Sequence, residues 1–259
     1  MKGGSSQTVS STITAGKPGT ATVPILAYHV INVAPASSSA PASLYVPVDE
    51  FTAQMNALKA GGWHPVTLDQ LQAYWTRGTS LGSGKPIVIT FDDGYASQYT
   101  NALPVLKKLG WVAVANIAVS GLAPTDGGLS DSQIRGLLAA GWQLGSEGTT
   151  TEKLTNSDPT QLGANITTAR QTLQSQYSAP VNWFAYPQGA YNPAIVAAVH
   201  SAGFVGATTL VSGWASPTAD RLRLPRLQVV PGTTPAKLMS QLTAASQTTS
   251  VPGSDPGIS

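Results

Sequence analysis

The chain has 259 residues, enough to bury a sizeable core in one large domain or two small ones, and only 10% of them are charged, well under the usual quarter or so of soluble domains. Fourteen Lys and Arg against twelve Asp and Glu leave a net charge of +2, and no window clusters the basic residues, which argues against nucleic acid or an anionic membrane surface as the main partner. Cysteine is absent, so disulfides and thiolate metal sites are excluded, and no run approaches the roughly 18 apolar residues of a membrane span.

Residues 1–22 are rich in Ser, Thr and Gly and read as a flexible linker, with a signal or membrane anchor expected either to have been removed or to lie upstream. The hydroxyl-rich, weakly charged composition suits an extracellular or cell-envelope protein. From residue 23, β-rich runs alternate with helix-like stretches. Strands are expected near 23–30, 64–68, 86–91, 112–119, 142–146, 182–186, 204–210 and 224–230. Helices should fill about 49–60, 69–76, 97–109, 130–140, 158–176, 192–202 and 234–244, with Asp49, Ser130, Asp158 and Asn192 as N-caps and a kink at Pro104. Four joints share one pattern, in which a helix ends in Gly, an aromatic follows and a strand begins: Gly62-Trp63, Gly110-Trp111, Gly141-Trp142 and Gly203-Phe204. Repeated α-to-β transitions of this kind are the grammar of a parallel sheet or barrel. The barrel domain is expected over 23–245, with a second polar tail over 246–259.

The most informative stretch is Thr90-Phe91-Asp92-Asp93-Gly94, which closes the apolar run Pro86-Ile87-Val88-Ile89. Asp-Gly by itself is a common turn. Two adjacent carboxylates where a buried strand reaches the surface are costly unless they bind something or do chemistry. At this motif the chain resembles the polysaccharide deacetylases, metal-dependent hydrolases that remove acetyl groups from amino sugars or acetylated polysaccharides. The resemblance covers about 23–240 and implies a distorted (β/α) barrel, with Asp92 as general base and Asp93 on the metal.

The family also carries two histidines one helical turn apart. In the matching block, Gly145-Ser146-Glu147-Gly148-Thr149-Thr150-Thr151, Glu147 and Thr151 stand in their places. Asp93 and Glu147 then remain as metal candidates, and two carboxylates favour a harder ion than the family's zinc, or no tightly bound ion. Of the three histidines, His200 sits near a helix C-terminus and His64 opens a strand at the opposite rim. His29 follows Tyr28 at the end of the first strand, and either supports the Asp pair from behind or takes part directly as ligand or acid. The family's late histidine has no counterpart after Leu224. Arg226, in Leu224-Pro225-Arg226-Leu227, is a candidate for orienting a carboxylate or meeting substrate.

A third block, Trp183-Phe184-Ala185-Tyr186-Pro187-Gln188-Gly189, matches a groove-lining turn of the family whose backbone amide helps hold the oxyanion. This implies substrate contacts from Tyr186, Pro187 and Gly189, while Ala185 departs from the arginine that many members use to tether the base. Tyr95 and Trp214 are aromatic candidates for stacking on sugar rings, whereas Trp63, Trp111 and Trp142 read as packing at the joints. Two readings follow: a monomeric deacetylase-type hydrolase of acetylated glycans with an altered metal site, or a family member that binds a glycan without turning it over. Hydrolysis of another ester or amide is a third.

Overall fold

The computed structural model describes residues 16–36, 41–122 and 127–247. Its core is a curled sheet in the order β7-β6-β5-β4-β3-β1-β8, with β2 pairing β3 and β9 pairing β1. The strands are β1 (Val23–Tyr28), β2 (Trp63–Pro65), β3 (Lys85–Phe91), β4 (Val114–Ile117), β5 (Gln143–Ser146), β6 (Trp183–Ala185), β7 (Gly206–Thr208), β8 (Trp214–Ala215) and β9 (Leu227–Gln228). Every pairing is parallel except that of β8, which runs antiparallel to the first residues of β1. Beyond β7 the sheet continues to curl. Leu224 N–H donates to Ala207 O and Thr209 N–H to Leu224 O, and the chain then enters β9 beside β1. All strand C-termini of the parallel set therefore share one rim, as expected of a barrel.

The helices cover the outside: α1 (Val48–Ala60), α2 (Leu68–Arg77), α3 (Leu103–Leu109), α4 (Asp131–Ala139), α5 (Pro159–Tyr177), α6 (Pro193–Ser201) and α7 (Pro235–Ser246). Among the described residues, no helix is long and apolar enough to cross a membrane. Ser130, Asp158 and Asn192 cap α4, α5 and α6 as expected, each side chain accepting a first-turn N–H. Asp49 does not cap α1. Pro47 occupies the N-cap position without a side-chain hydrogen bond, and Asp49 lies in the first turn, where its charge faces the positive end of the helix. The expected helix over 97–109 is a π-helical turn, Gln98–Ala102, running into α3, because Pro104 has no N–H to offer the carbonyl of Thr100.

The joint aromatics pack as the pattern implies: Trp142 stacks on Phe91 at 5.0 Å, Phe91 on Tyr28 at 5.6 Å, and Tyr28 meets Phe51 edge-on. The expected linker over 1–22 is attached in its last part. Gly19 N–H donates to Tyr74 O, Ala21 N–H to the Tyr74 hydroxyl, and Trp75 Nε1 to Ala21 O, so this stretch lies on α2. Residues 1–15, and the expected tail from residue 248 onward, lie outside the described residues.

Candidate active site at the strand ends

Asp92 follows directly on β3, its N–H donating to Tyr28 O at the end of β1. Its Oδ1 accepts from Asn116 Nδ2 on β4 (2.8 Å) and from Arg226 Nη1 (2.8 Å), while Oδ2 lies 2.7 Å from Arg226 Nη2. The guanidinium is entirely buried and also donates to Thr90 Oγ1 and Thr209 O, tying β3 to the stretch after β7. Gly145 makes room for this arrangement, since a Cβ there would strike Asn116 Oδ1. Burial pushes the Asp92 carboxyl up. The charge and hydrogen bonds of Arg226, helped by His29 and Asn116, outweigh burial and hold it below the ordinary carboxylate range.

Asp93 is built differently. Its φ is +70°, in the left-handed region that side-chain-bearing residues avoid, and Gly94 N–H reaches back to Asp92 O at 2.9 Å to close a three-residue turn. The Asp93 N–H points into the protein and donates to Glu147 Oε2 at 2.6 Å, just past the end of β5. Burial, then the neighbouring Asp92 charge, raise the Asp93 carboxyl to about 7. Burial and the charges of Asp93 and Asp92 hold Glu147 well above its ordinary value, against the hydrogen bond from the Asp93 amide.

His29 is buried beside this group. Burial lowers its pKa, Asp92 opposes and Arg226 adds to the lowering, so the imidazole is neutral at neutral pH. A cleft of about 570 Å³ opens above, lined by His29, Asp93, Tyr95, Thr151, Gln188 and Gln228 among others. Sequence reasoning missed Asn116 and Gln98. Gln98, in the π turn, is fully buried and donates to both Asp92 O and His29 O, fixing the backbone of two candidate residues at once. An amide within the apolar run Val114-Ala115-Asn116-Ile117 was the available signal for Asn116.

Five residues expected to meet substrate do not. Arg226 orients a carboxylate, the other role the sequence offered for it, and cannot touch substrate, because it is wholly buried against Asp92. Tyr186 is buried as well, its hydroxyl donating to Leu222 O and its N–H to Thr208 O, so that amide is not available to an oxyanion. Pro187 is buried and Gly189 sits tight against Leu210; of this turn, Gln188 is the residue that lines the cleft. Trp214 belongs to the opposite rim, because the chain turns back after β7 and pairs Trp214 with Pro24 at the start of β1. There it donates to Leu242 O and packs on Trp63.

The family model described as polysaccharide deacetylase matches residues 81–207, the span from β3 to β7 that carries the Asp pair, Glu147 and the Tyr186 turn. YxkH of Bacillus subtilis (strain 168), named as a candidate polysaccharide deacetylase, is 29% identical over 82% of this chain and 73% of its own length. The chain belongs to the polysaccharide deacetylase family. Solved structures agree on the fold of this deacetylase-family chain. The Streptococcus pyogenes deacetylase PplD, determined with acetate, superposes with a TM-score of 0.77 over 86% of this chain and 98% of its own, at 24% identity. BA0330 of Bacillus anthracis, also named as a candidate polysaccharide deacetylase, gives 0.73 over 86% and 69%, at 25% identity.

The family is generally metal-dependent, and the donor set here does not suit its zinc. Zinc takes nitrogen and sulfur readily and needs about three protein ligands. Among the described residues, no group of three or more His, Cys, Asp and Glu is arranged to hold a metal ion. Thr151 offers a neutral hydroxyl at the second histidine position, and Glu147 Oε2 is already engaged by the Asp93 amide.

Proposed function

We propose that this polysaccharide deacetylase-family chain is a deacetylase-type hydrolase that takes an acetylated glycan in the rim cleft, with Asp92 as the general base. The observation that carries the reading is the Arg226–Asp92 pair. A fully buried ion pair adds little stability over apolar side chains of similar volume. Its place at the end of β3, next to Asp93 of the cleft lining, is accounted for by the orientation it imposes on a carboxylate.

Each carboxylate oxygen can accept about two hydrogen bonds. Oδ1 has two donors, Asn116 and Arg226, whereas Oδ2 meets Arg226 Nη2 as an ion-pair contact without a hydrogen bond, which leaves Oδ2 a position for the proton of an attacking water. The low pKa keeps Asp92 ionised and able to accept, and also makes it a weak base, so rate comes chiefly from placement. Neutral His29, in the cleft wall, can donate one ring N–H to the acetyl group or to the departing nitrogen or oxygen. A sugar ring then rests along Tyr95, Gln188 and Gln228. The weakly charged, hydroxyl-rich chain fits work outside the cell or in its envelope.

The missing imidazoles favour the second reading, a glycan-binding protein without turnover. Acetate release from acetylated chitooligosaccharide and acetylated xylan, with Asp92→Asn as control, separates the two. Release that the substitution removes supports hydrolysis; saturable binding without release supports the second reading.

A further inference from the structure

The disagreement between the donor set and zinc has a positive counterpart in the hydrogen bonding. We propose that Glu147 holds the Asp93 turn by hydrogen bonding where a metal would otherwise organise it, so that this site takes no zinc.

A residue with a side chain at φ +70° persists only when its surroundings over-determine it. The turn closed by Gly94 N–H leaves the Asp93 amide directed inward, where it needs an acceptor. Glu147 Oε2 supplies it at 2.6 Å, from a side chain that is 1% exposed. Glu147 itself is fixed from behind, its N–H donating to Ile117 O on β4. Swinging the carboxylate towards a cation would strip the acceptor from a buried amide. An imidazole at 147 could not accept at that nitrogen while its other ring nitrogen carried a metal, unless the turn changed. The remaining donors do not compensate. Thr151 carries a neutral hydroxyl, its main-chain oxygen already accepts from Gln188 Nε2, and the imidazole of His29 belongs to the Asp92 side, with its own carbonyl bound by Gln98. The inference concerns how Asp93 is held, and does not depend on whether a glycan is hydrolysed.

The test is equilibrium dialysis of the folded protein against zinc and manganese, with metal counted by elemental mass spectrometry, alongside NMR of the Asp93 amide. The wild type is expected to retain neither ion. Glu147→His with Thr151→His, checked for folding by circular dichroism, should retain about one equivalent of zinc. The Asp93 amide proton should be far downfield in the wild type, stay hydrogen-bonded in Glu147→Gln, whose carbonyl can still accept, and move upfield in Glu147→Ala. One equivalent of either ion in the wild type that is lost in Glu147→Gln would overturn the proposal. So would a folded double-histidine variant without zinc, because the absent imidazoles would then not be what keeps zinc out.

Discussion

The two halves of this site reach opposite solutions to one problem, that of placing a carboxylate beside a buried sheet. On the β1–β3 side Asp92 receives a guanidinium, an amide and a rigid backbone, and stays ionised. On the β5 side Glu147 meets the Asp93 amide, neither carboxyl has an ion-pair partner among the described residues, and both are pushed towards the neutral form. The contrast separates two requirements that a metal site normally joins. A charge can be oriented by a protein cation, while a strained turn can be held by a single hydrogen bond.

The largest expected effect comes from breaking the first half. Arg226→Met should cost about 3–5 kcal/mol, since it leaves Asp92 charged and buried without a partner. Adding Asp92→Asn should recover much of that loss, as a double-mutant cycle by urea unfolding would show. Additive losses would mean that Arg226 acts mainly by packing.

The second half should respond less. Glu147→Ala removes the acceptor of a buried N–H, a loss of about 1–3 kcal/mol, whereas Glu147→Gln keeps an acceptor and should cost less. Equal losses for the two would assign the effect to charge.

The halves also differ in the sign of their pH dependence. Asp92, depressed in the folded state, adds stability that is present above its unfolded pKa and lost as pH falls through the folded value. Asp93, raised to about 7, does the reverse: its contribution is full below its ordinary pKa and disappears as pH rises to about 7. The stability of the wild type minus that of Asp93→Asn should therefore fall between about pH 4 and pH 7 and level off above. A flat difference across that window would show that Asp93 ionises as an ordinary carboxyl.

The smallest effect on the site should come from Trp214→Ala, which lies at the far rim. Glycan binding measured by calorimetry should be unchanged, although the fold loses packing against Trp63. Weakened binding would return Trp214 to the groove.

Local signals in the sequence carried the barrel well. The Gly-aromatic joints located the strand starts, and Ser130, Asp158 and Asn192 placed three helix caps, because caps and left-handed Gly residues act through their immediate neighbours. The Asp pair was legible for the same reason. Of the partners of that pair, Arg226 was legible as a group able to orient a carboxylate, but not which carboxylate, and Asn116 and Gln98 were not legible, since all three come from separate elements and meet only when the sheet curls. Trp214 was misplaced because an irregular loop after β7 reverses direction, and nothing nearby in sequence marks β8 as antiparallel. The Tyr186 block was recognisable as a turn, yet which of its groups faces the cleft depends on the backbone at Gln188, whose φ is +54°.

Whether Asp92 works without a metal is decided by acetate release from an acetylated glycan in the presence of a strong chelator, with wild type and Asp92→Asn compared. Chelation should leave release unchanged, and the substitution should lower it by about 10²–10⁴-fold. Release that stops on chelation and returns with zinc, or that proceeds equally fast in Asp92→Asn, would contradict metal-free action by Asp92.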